Sequence, residues 1–141
     1  NEGKDGIRIN DFLEKDIIKK INPNNLPYEI FKEITFLYPF KGKNIMGTID
    51  YIVRLNDKWY IIDFKLSKQN KDEYLQWQMS LYAYFLAKIL NVPYGERVRT
   101  LVGLRIHPER DFLGNFPLVK SRIRELPLKV VEGFLDTIDH I

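Results

Sequence analysis

The sequence contains no cysteine and only two histidines among its 141 residues. Without thiols the chain can form no disulfide, zinc–thiolate site or iron–sulfur cluster, and it fits a reducing, intracellular compartment. No apolar run approaches the roughly 20 residues that a membrane-spanning helix needs, so we expect no membrane partner. The chain begins with Asn1 instead of Met and has no signal-peptide pattern, which fits a piece excised from a longer protein.

The length and charge of the chain narrow the possibilities further. With 141 residues the chain is long enough for one domain with a substantial core and short for two, so we expect residues 1–141 to form a single domain. The formal net charge of +3 permits a polyanionic partner such as nucleic acid without requiring one.

Hydrophobic periodicity predicts helices and strands in an order typical of one α/β domain. The predicted elements are a helix over 11–21, strands over 33–38, 46–53 and 59–65, a helix over 72–90, strands over 98–106 and 116–123, and a C-terminal helix that follows Pro127. We find no internal repeat, low-complexity tract or linker. The strands over 46–53 and 59–65 are apolar on both faces, so we expect helices to cover both sides of the sheet.

The segment between Asp50 and Asp63 is predicted to be a tight hairpin. Its turn is the pair Asn56-Asp57, which tolerates positive φ angles. If Leu55 and Lys58 close this turn, the numbers of opposed residues sum to 113 and Asp50 faces Asp63. Directly opposed side chains share a sheet face, with Cβ atoms roughly 4.5–5.5 Å apart.

Two carboxylates at that separation repel each other unless a cation lies between them. Lys65, two residues after Asp63, is predicted on the same strand face and can neutralise one carboxylate but not both. Desolvating the remaining charge among apolar neighbours is costly. We therefore predict a divalent-metal site, with two surface acids on a hairpin or a structural ion pair to Lys65 as the alternatives.

Three segments, in this order, resemble motifs of the PD-(D/E)XK nuclease superfamily, and within it the branch that contains the RecB-type nuclease domain. They are Gly47-Thr48-Ile49-Asp50, Ile61-Ile62-Asp63-Phe64-Lys65 and Gln78-Met79-Ser80-Leu81-Tyr82. The resemblance covers roughly residues 29–90. It implies a restriction-endonuclease-like α/β core, in which a central mixed sheet is flanked by helices.

The resemblance also implies roles for the residues of the hairpin. Asp50 and Asp63 would ligate Mg²⁺, or Mn²⁺ as a substitute, together with the backbone carbonyl of Phe64. Lys65 would orient or activate the attacking water and offset charge on the phosphate. Oxygen ligands of this kind select hard cations.

Further positions match the family pattern outside the hairpin. Glu33 matches the upstream acidic position, with Glu29 as a rival, and Gln78 and Tyr82 would lie on the active-site side of the long helix. A glutamine within the apolar stripe of that helix needs hydrogen-bond partners if it is buried. The alternatives are that Gln78 satisfies a buried backbone group and that Tyr82 is an ordinary core tyrosine.

The chain departs from many members of that branch in its histidines. Residues 1–30 contain none, and His107 and His140 come too late in the chain to match. His107 precedes Pro108 and is interpreted as a turn or surface residue. The chain also lacks the cysteines that hold an iron–sulfur cluster in some relatives. These departures affect which subfamily the chain resembles and which stretch of substrate it would bind, more than the basic chemistry that the resemblance implies.

Basic side chains provide candidates for contacts to phosphates. Lys68 and Lys71 follow the Asp63 strand directly, and Lys41 and Lys43 lie in a predicted turn. Further candidates are Arg97, Arg99, Arg105, Lys120, Arg122 and Arg124. Trp77 or Tyr74 offers a ring on which a base could stack, although an aromatic residue on a helix is usually part of a core.

The leading hypothesis is a divalent-metal-dependent nuclease that acts on DNA, with an exonuclease or end-processing role implied by the branch. We expect it in the cytoplasm or associated with nucleic acid, within a larger protein or complex. A second hypothesis is an inactive nuclease-like fold that only binds nucleic acid or another protein. A third is an endonuclease or junction-resolving enzyme that uses the same site.

Overall fold

A mixed sheet of five strands forms the centre of the molecule. The structure is a computed structural model that describes residues 15, 17–65, 72–105, 118–121 and 124–138. Its strands are β1 (Tyr28–Phe40), β2 (Lys43–Leu55), β3 (Lys58–Lys65), β4 (Val98–Arg105) and β5 (Leu118–Ser121). They lie in the order β1-β2-β3-β4-β5, with only the β3–β4 pair parallel. The predicted mixed sheet is confirmed.

Helices lie against both faces of this sheet. Residues 15 and 17–21 are helical and form α1, and the two longer helices are α2 (Asp72–Leu90) and α3 (Leu128–Thr137). Because β3 and β4 are parallel, the chain needs a long crossover between them, and α2 provides it. Among the described residues, no helix is both long and apolar enough to cross a membrane.

Two groups of apolar side chains form the core, one on each side of the sheet. The larger group, here the α2-side core, joins Ile61 of β3 to Met79 of α2 and Leu135 of α3. The smaller group, the α1-side core, joins Ile17 of α1 to Ile62 of β3. Adjacent residues of a strand point to opposite faces, so Ile61 and Ile62 serve different cores. The expectation that both faces are covered is therefore confirmed.

The first strand is longer than its predicted range of 33–38. It spans 13 residues and pairs with β2 from Tyr28–Leu55 to Phe40–Lys43. The prediction missed its first part because Ile30 and Phe31 are both apolar and contact different cores, which removes the alternating pattern. The β1–β2 turn is Lys41-Gly42, with φ angles of 50° and 76° that suit a two-residue hairpin.

The second strand is also longer than its predicted range of 46–53, because it spans Lys43–Leu55 and includes Lys43 and Asn44 of the predicted turn. The other boundaries agree closely with the sequence prediction where the structure describes them. The helix over 72–90 has the predicted bounds, and β4, β5 and α3 lie within their predicted segments. Residues 11–14 and 16 of the predicted N-terminal helix, and residues 106, 116–117 and 122–123 of the predicted strands, lie outside the described residues.

Candidate active site

The β2–β3 hairpin has the predicted register. Its recorded pairs run from Leu55–Lys58 to Tyr51–Ile62, and the turn residue Asn56 has a φ of 56°. Asp50 and Asp63 are the next residues on the two strands after the last recorded pair. Continuing the register by one step aligns these two acids, at the point where β2 and β3 stop pairing.

A third acid is aligned with Asp50 from the other side. In the β1–β2 ladder, Lys32 pairs with Tyr51 and Ile34 pairs with Ile49, but the intervening Glu33–Asp50 pair is absent from the ladder. Glu33 has a φ of 49°, which is rare for a residue with a side chain and uncommon inside a strand. Glu33, Asp50 and Asp63 thus lie on three neighbouring strands in one row.

At this row, the side chains of β1 and β2 no longer alternate regularly between the two faces of the sheet. Ile30 and Ile34 of β1 are four residues apart, so regular alternation would put them on one face, yet they contact different cores. Ile49 and Tyr51 of β2 are separated by Asp50 and also contact different cores. The backbone is therefore irregular at Glu33 and Asp50, and this accounts for the missing ladder pair. Irregularities of this kind often occur next to active sites, where they redirect a side chain.

The three acids differ in their exposure to solvent. Asp63 is 8% exposed, Asp50 is half-buried and Glu33 is exposed. Asp63 follows the buried residues Ile61 and Ile62, so its charge is largely removed from water. Both aspartates interact with other groups in the structure. A buried carboxylate is stable when cations or hydrogen-bond donors compensate its lost hydration.

The register distinguishes Glu33 from its rival Glu29. Glu29 lies opposite Arg54 on β2 and forms an ion pair with it. It is four residues from Glu33, about 13 Å along the strand. Glu33 is the glutamate that the sheet aligns with the two aspartates.

Gln78 and Tyr82 lie one helical turn apart on α2 and contact each other. Nε2 of Gln78 donates a hydrogen bond of 3.4 Å to the hydroxyl of Tyr82. Oε1 of Gln78 is buried and accepts no hydrogen bond from any residue that the structure describes. A buried acceptor left without a donor costs about 1–3 kcal/mol, which a bound water or substrate group would recover.

Phe36 is a contributor that sequence analysis missed. It lies opposite Gly47 in the β1–β2 ladder, and its ring meets that of Tyr82 edge to face, with the centroids 5.9 Å apart. Tyr82 therefore packs over β1 and β2 three residues before Asp50. An aromatic residue paired with a glycine across two strands is the sequence signal that could have identified it, once the β1–β2 register was known.

The lysines and arginines are distributed unevenly around this row. Lys41 and Lys43 lie at the β1–β2 turn, and Lys41 is eight residues from Glu33, about 27 Å along the strand. Nζ of Lys41 contacts Oδ1 of Asp136 at 3.2 Å. The structure therefore does not bring Lys41 and Lys43 together with the acids. The side chain of Lys65 and all of Lys68 and Lys71 lie outside the described residues.

The other candidate contacts also fall away from the acids or outside the described part of the chain. Arg97 and Arg99 lie at the start of β4, next to the opposite end of β3 from Asp63. The ring of Trp77 packs against Phe134 with centroids 5.0 Å apart, whereas Tyr74 is 61% exposed. The backbone carbonyl of Arg124 accepts a hydrogen bond from Gln76. Outside the described residues lie Arg122, His107 and His140, together with the side chains of Arg105 and Lys120.

The donor groups at the row fit a hard divalent cation. Asp50 and Asp63 supply carboxylate oxygens, and the carbonyl of Phe64 follows directly in β3. Among the described residues, no group of three or more histidine, aspartate or glutamate side chains could hold a metal ion. The oxygen donors at this row are thus two aspartates and a backbone carbonyl, which are ligand types that Mg²⁺ binds.

Comparison with known proteins identifies the superfamily of the chain. No curated protein matches the chain. The crystal structure of SSO0001 is similar with 20% identity and a TM-score of 0.46, and the match covers 92% of this chain and 58% of that one. The chain thus spans little more than half the length of that protein. A family model described as the PD-(D/E)XK nuclease superfamily matches residues 11–132.

That match includes the whole row of acids, the hairpin and the Gln78–Tyr82 pair. The mixed sheet with helices on both faces is the restriction-endonuclease-like α/β fold that the resemblance implied. Because the family model matches well over half of the sequence, the chain belongs to the PD-(D/E)XK nuclease superfamily.

Proposed function

We propose that the protein is a divalent-metal-dependent nuclease that hydrolyses phosphodiester bonds in DNA. The observation that carries this proposal is the row of Glu33, Asp50 and Asp63 on three neighbouring strands, where one ladder is interrupted and the next ends. A row of like charges is unfavourable in a protein that binds no cation there. Membership of the nuclease superfamily supports the same conclusion.

The roles of the chain's own groups follow from their positions. Asp50 and Asp63, with the carbonyl of Phe64, would hold Mg²⁺ or Mn²⁺. The bound ion supplies a polarised phosphate and a water of lowered pKa. Glu33 lies at the exposed end of the row, where its carboxylate can accept a hydrogen bond from a water at the edge of the site. Lys65, the last residue of β3, would offset charge on the phosphate.

The finer assignment rests on the motifs. The Gly-x-hydrophobic-Asp, hydrophobic-Asp-aromatic-Lys and Gln-x-x-x-Tyr patterns together resemble the RecB-type branch, which supports DNA as the substrate and cleavage from an end. Gln78 presents a buried acceptor that a substrate or water donor can satisfy. We place the domain within a larger protein or complex that acts on nucleic acid.

The decisive experiment is an incubation with end-labelled single- and double-stranded DNA and RNA, with Mg²⁺, with Mn²⁺ or with chelator. The test variants are Asp63→Asn and Lys65→Ala. The control is Asp57→Asn, which removes an exposed carboxylate from the turn of the same hairpin. We expect cation-dependent cleavage of DNA by the wild type and the control, and a loss of at least about 100-fold in both test variants.

The alternatives are separated by the same assay. Full cleavage by Asp63→Asn would contradict the assigned site. Binding of DNA without turnover under either cation would favour an inactive nuclease-like fold that only binds. Internal cuts in a circular substrate would identify an endonuclease that uses the same carboxylates.

A further inference from the structure

A second concave site lies away from the row of acids, where α1 meets the start of β1. Its volume is about 670 Å³, within the range of about 300–1,000 Å³ that is usual for ligand sites. This site, the α1 cleft, has in its lining the side chains of Lys15, Lys19, Asn22, Asn25 and Tyr28.

The charged residues that the structure describes in the lining of the α1 cleft are both lysines. Lys15 and Lys19 are four residues apart on a helix, so they lie on the same face with Cβ atoms about 5–6 Å apart. Among the described residues that line the cleft, none carries a carboxylate. Like charges at this spacing destabilise a helix slightly unless an anion lies between them. The α1 cleft therefore suits a phosphate-bearing ligand.

The wall of the cleft is held in place by its own hydrogen bonds. Asn22 is 7% exposed, and its side chain donates to the carbonyl of Leu26 and accepts from the amide of Leu26, both at 2.8 Å. Asn25, between them, has a φ of 52°, a left-handed conformation that asparagine tolerates well. The loop that shapes the α1 cleft is thus organised before any ligand arrives, which reduces the entropic cost of binding.

Tyr28 adds an aromatic surface to the two ammonium groups. Its side chain is 43% exposed at the start of β1, where its backbone is fixed by pairing with Leu55. An exposed ring beside a phosphate-binding group can stack on an unpaired base, an interaction worth about 1–3 kcal/mol per base. Bases in a duplex are already stacked, so this combination favours a single strand.

The α1 cleft and the row of acids lie a short distance apart along β1. Tyr28 is five residues before Glu33 on β1, which is the edge strand of the sheet, so both lie along the same edge. Five residues of strand span about 17 Å, which a strand stacked at the duplex rise of about 3.4 Å per nucleotide crosses in about five nucleotides. We propose that the α1 cleft is a second subsite that binds a single-stranded nucleic acid about five nucleotides from the scissile phosphate. The distance depends on the proposed nuclease function, whereas binding in the cleft does not.

The binding test uses the 141-residue chain in chelator, so that no cleavage occurs. Fluorescence anisotropy with labelled single-stranded oligonucleotides of four and twelve nucleotides is measured for the wild type and for the double variant Lys15→Gln/Lys19→Gln. The matched control is Lys58→Gln/Lys129→Gln, which removes the same charge from exposed sites elsewhere. All four lysines are exposed, so melting curves should stay close to that of the wild type.

We expect the double variant to bind the twelve-nucleotide strand about tenfold more weakly than the control does. The slope of its log Kd against log salt concentration should fall in magnitude by about 1.4, because two phosphate contacts are lost and each contributes about 0.7. Tyr28→Ala should weaken binding by about fivefold or more, and Tyr28→Phe should not. Equal binding by the double variant and the control would overturn the proposal. Equal competition by a mononucleotide or by inorganic phosphate would overturn the assignment to a strand.

Cleavage kinetics on substrates of two lengths provide a second test. With a cleavable strand, the double variant should raise KM for twelve-nucleotide substrates while leaving kcat and the cleavage of four-nucleotide substrates unchanged, because a short substrate cannot reach the cleft. A KM increase of the same size at both lengths would contradict the second subsite. If the wild type cleaves nothing but the lysine pair still governs binding, the nuclease proposal fails and the α1 cleft stands.

Discussion

The ring of Tyr82 lies directly against the backbone of Gly47. A Cβ atom at Gly47 would come within 3.0 Å of Cε1 of Tyr82 and within 2.9 Å of the ring of Phe36. Gly47 begins the segment that ends in Asp50, and Tyr82 ends the segment that begins with Gln78. Two motifs that are 35 residues apart in sequence, counted from Gly47 to Tyr82, are therefore in contact, and the glycine is needed because no side chain fits beneath the ring.

Replacing Gly47 with alanine should destabilise the protein by about 1–3 kcal/mol, because both rings must shift to admit the methyl group. Cleavage should also fall, because the Tyr82 ring lies beside the strand that carries Asp50. The free energy of unfolding from urea titration and the kcat of cleavage measure the two effects. Gly133→Ala is the control, since its Cβ meets nothing within 4 Å and it lies in a helix, where alanine is favoured. Equal stability of Gly47→Ala and wild type would refute the steric account.

The hairpin could be predicted from sequence because its determinants are local. Asn56-Asp57 specifies the turn, and the apolar residues on either side fix the register of Asp50 against Asp63. The contact between Gly47 and Tyr82 could not be predicted, because it depends on how α2 is placed over the sheet. The left-handed backbone of Glu33 was equally inaccessible, since glutamate has no local preference for it.

Glu33→Gly should separate stability from function. Glycine relieves a left-handed conformation that costs about 1–2 kcal/mol, against an entropic cost of about 0.5–1 kcal/mol, so a net gain of up to about 1.5 kcal/mol is expected. Cation-dependent cleavage should fall at the same time, because the carboxylate is lost from the row. Lys32→Gly, at the preceding exposed position with an ordinary φ, should lose about 0.5–1 kcal/mol through the backbone, and further stability through its cation–π contact with the Tyr51 ring. Chemical denaturation measures both, and a loss of stability in Glu33→Gly equal to that in Lys32→Gly would contradict the backbone argument.

Two glutamines on α2 should respond to substitution in opposite ways. Gln78→Leu removes a buried acceptor without a donor among the described residues and one long 3.4 Å hydrogen bond to Tyr82, so stability should change by less than about 0.5 kcal/mol while kcat/KM falls. Gln76→Leu removes the 3.1 Å hydrogen bond to the carbonyl of Arg124 and should lower stability by about 1 kcal/mol with activity unchanged. Thermal unfolding and steady-state kinetics on both variants test this contrast. Unchanged kinetics in Gln78→Leu would remove Gln78 from the site.

The segment that precedes α3 should be sensitive to alkaline pH through Tyr94. Its hydroxyl donates a 2.6 Å hydrogen bond to the carbonyl of Leu126, and burial, with a smaller contribution from the negative charge of Glu125, raises the pKa of Tyr94 from 10.0 to about 12. The folded state therefore binds this proton more tightly than the unfolded state, so the resulting stability is complete below pH 10 and is lost as the pH rises to about 12. The wild type should exceed Tyr94→Phe in free energy of unfolding below pH 10, and the difference should shrink through that window. A difference that stays constant across the window, in urea titrations of both proteins, would show that the Tyr94 proton does not couple to folding.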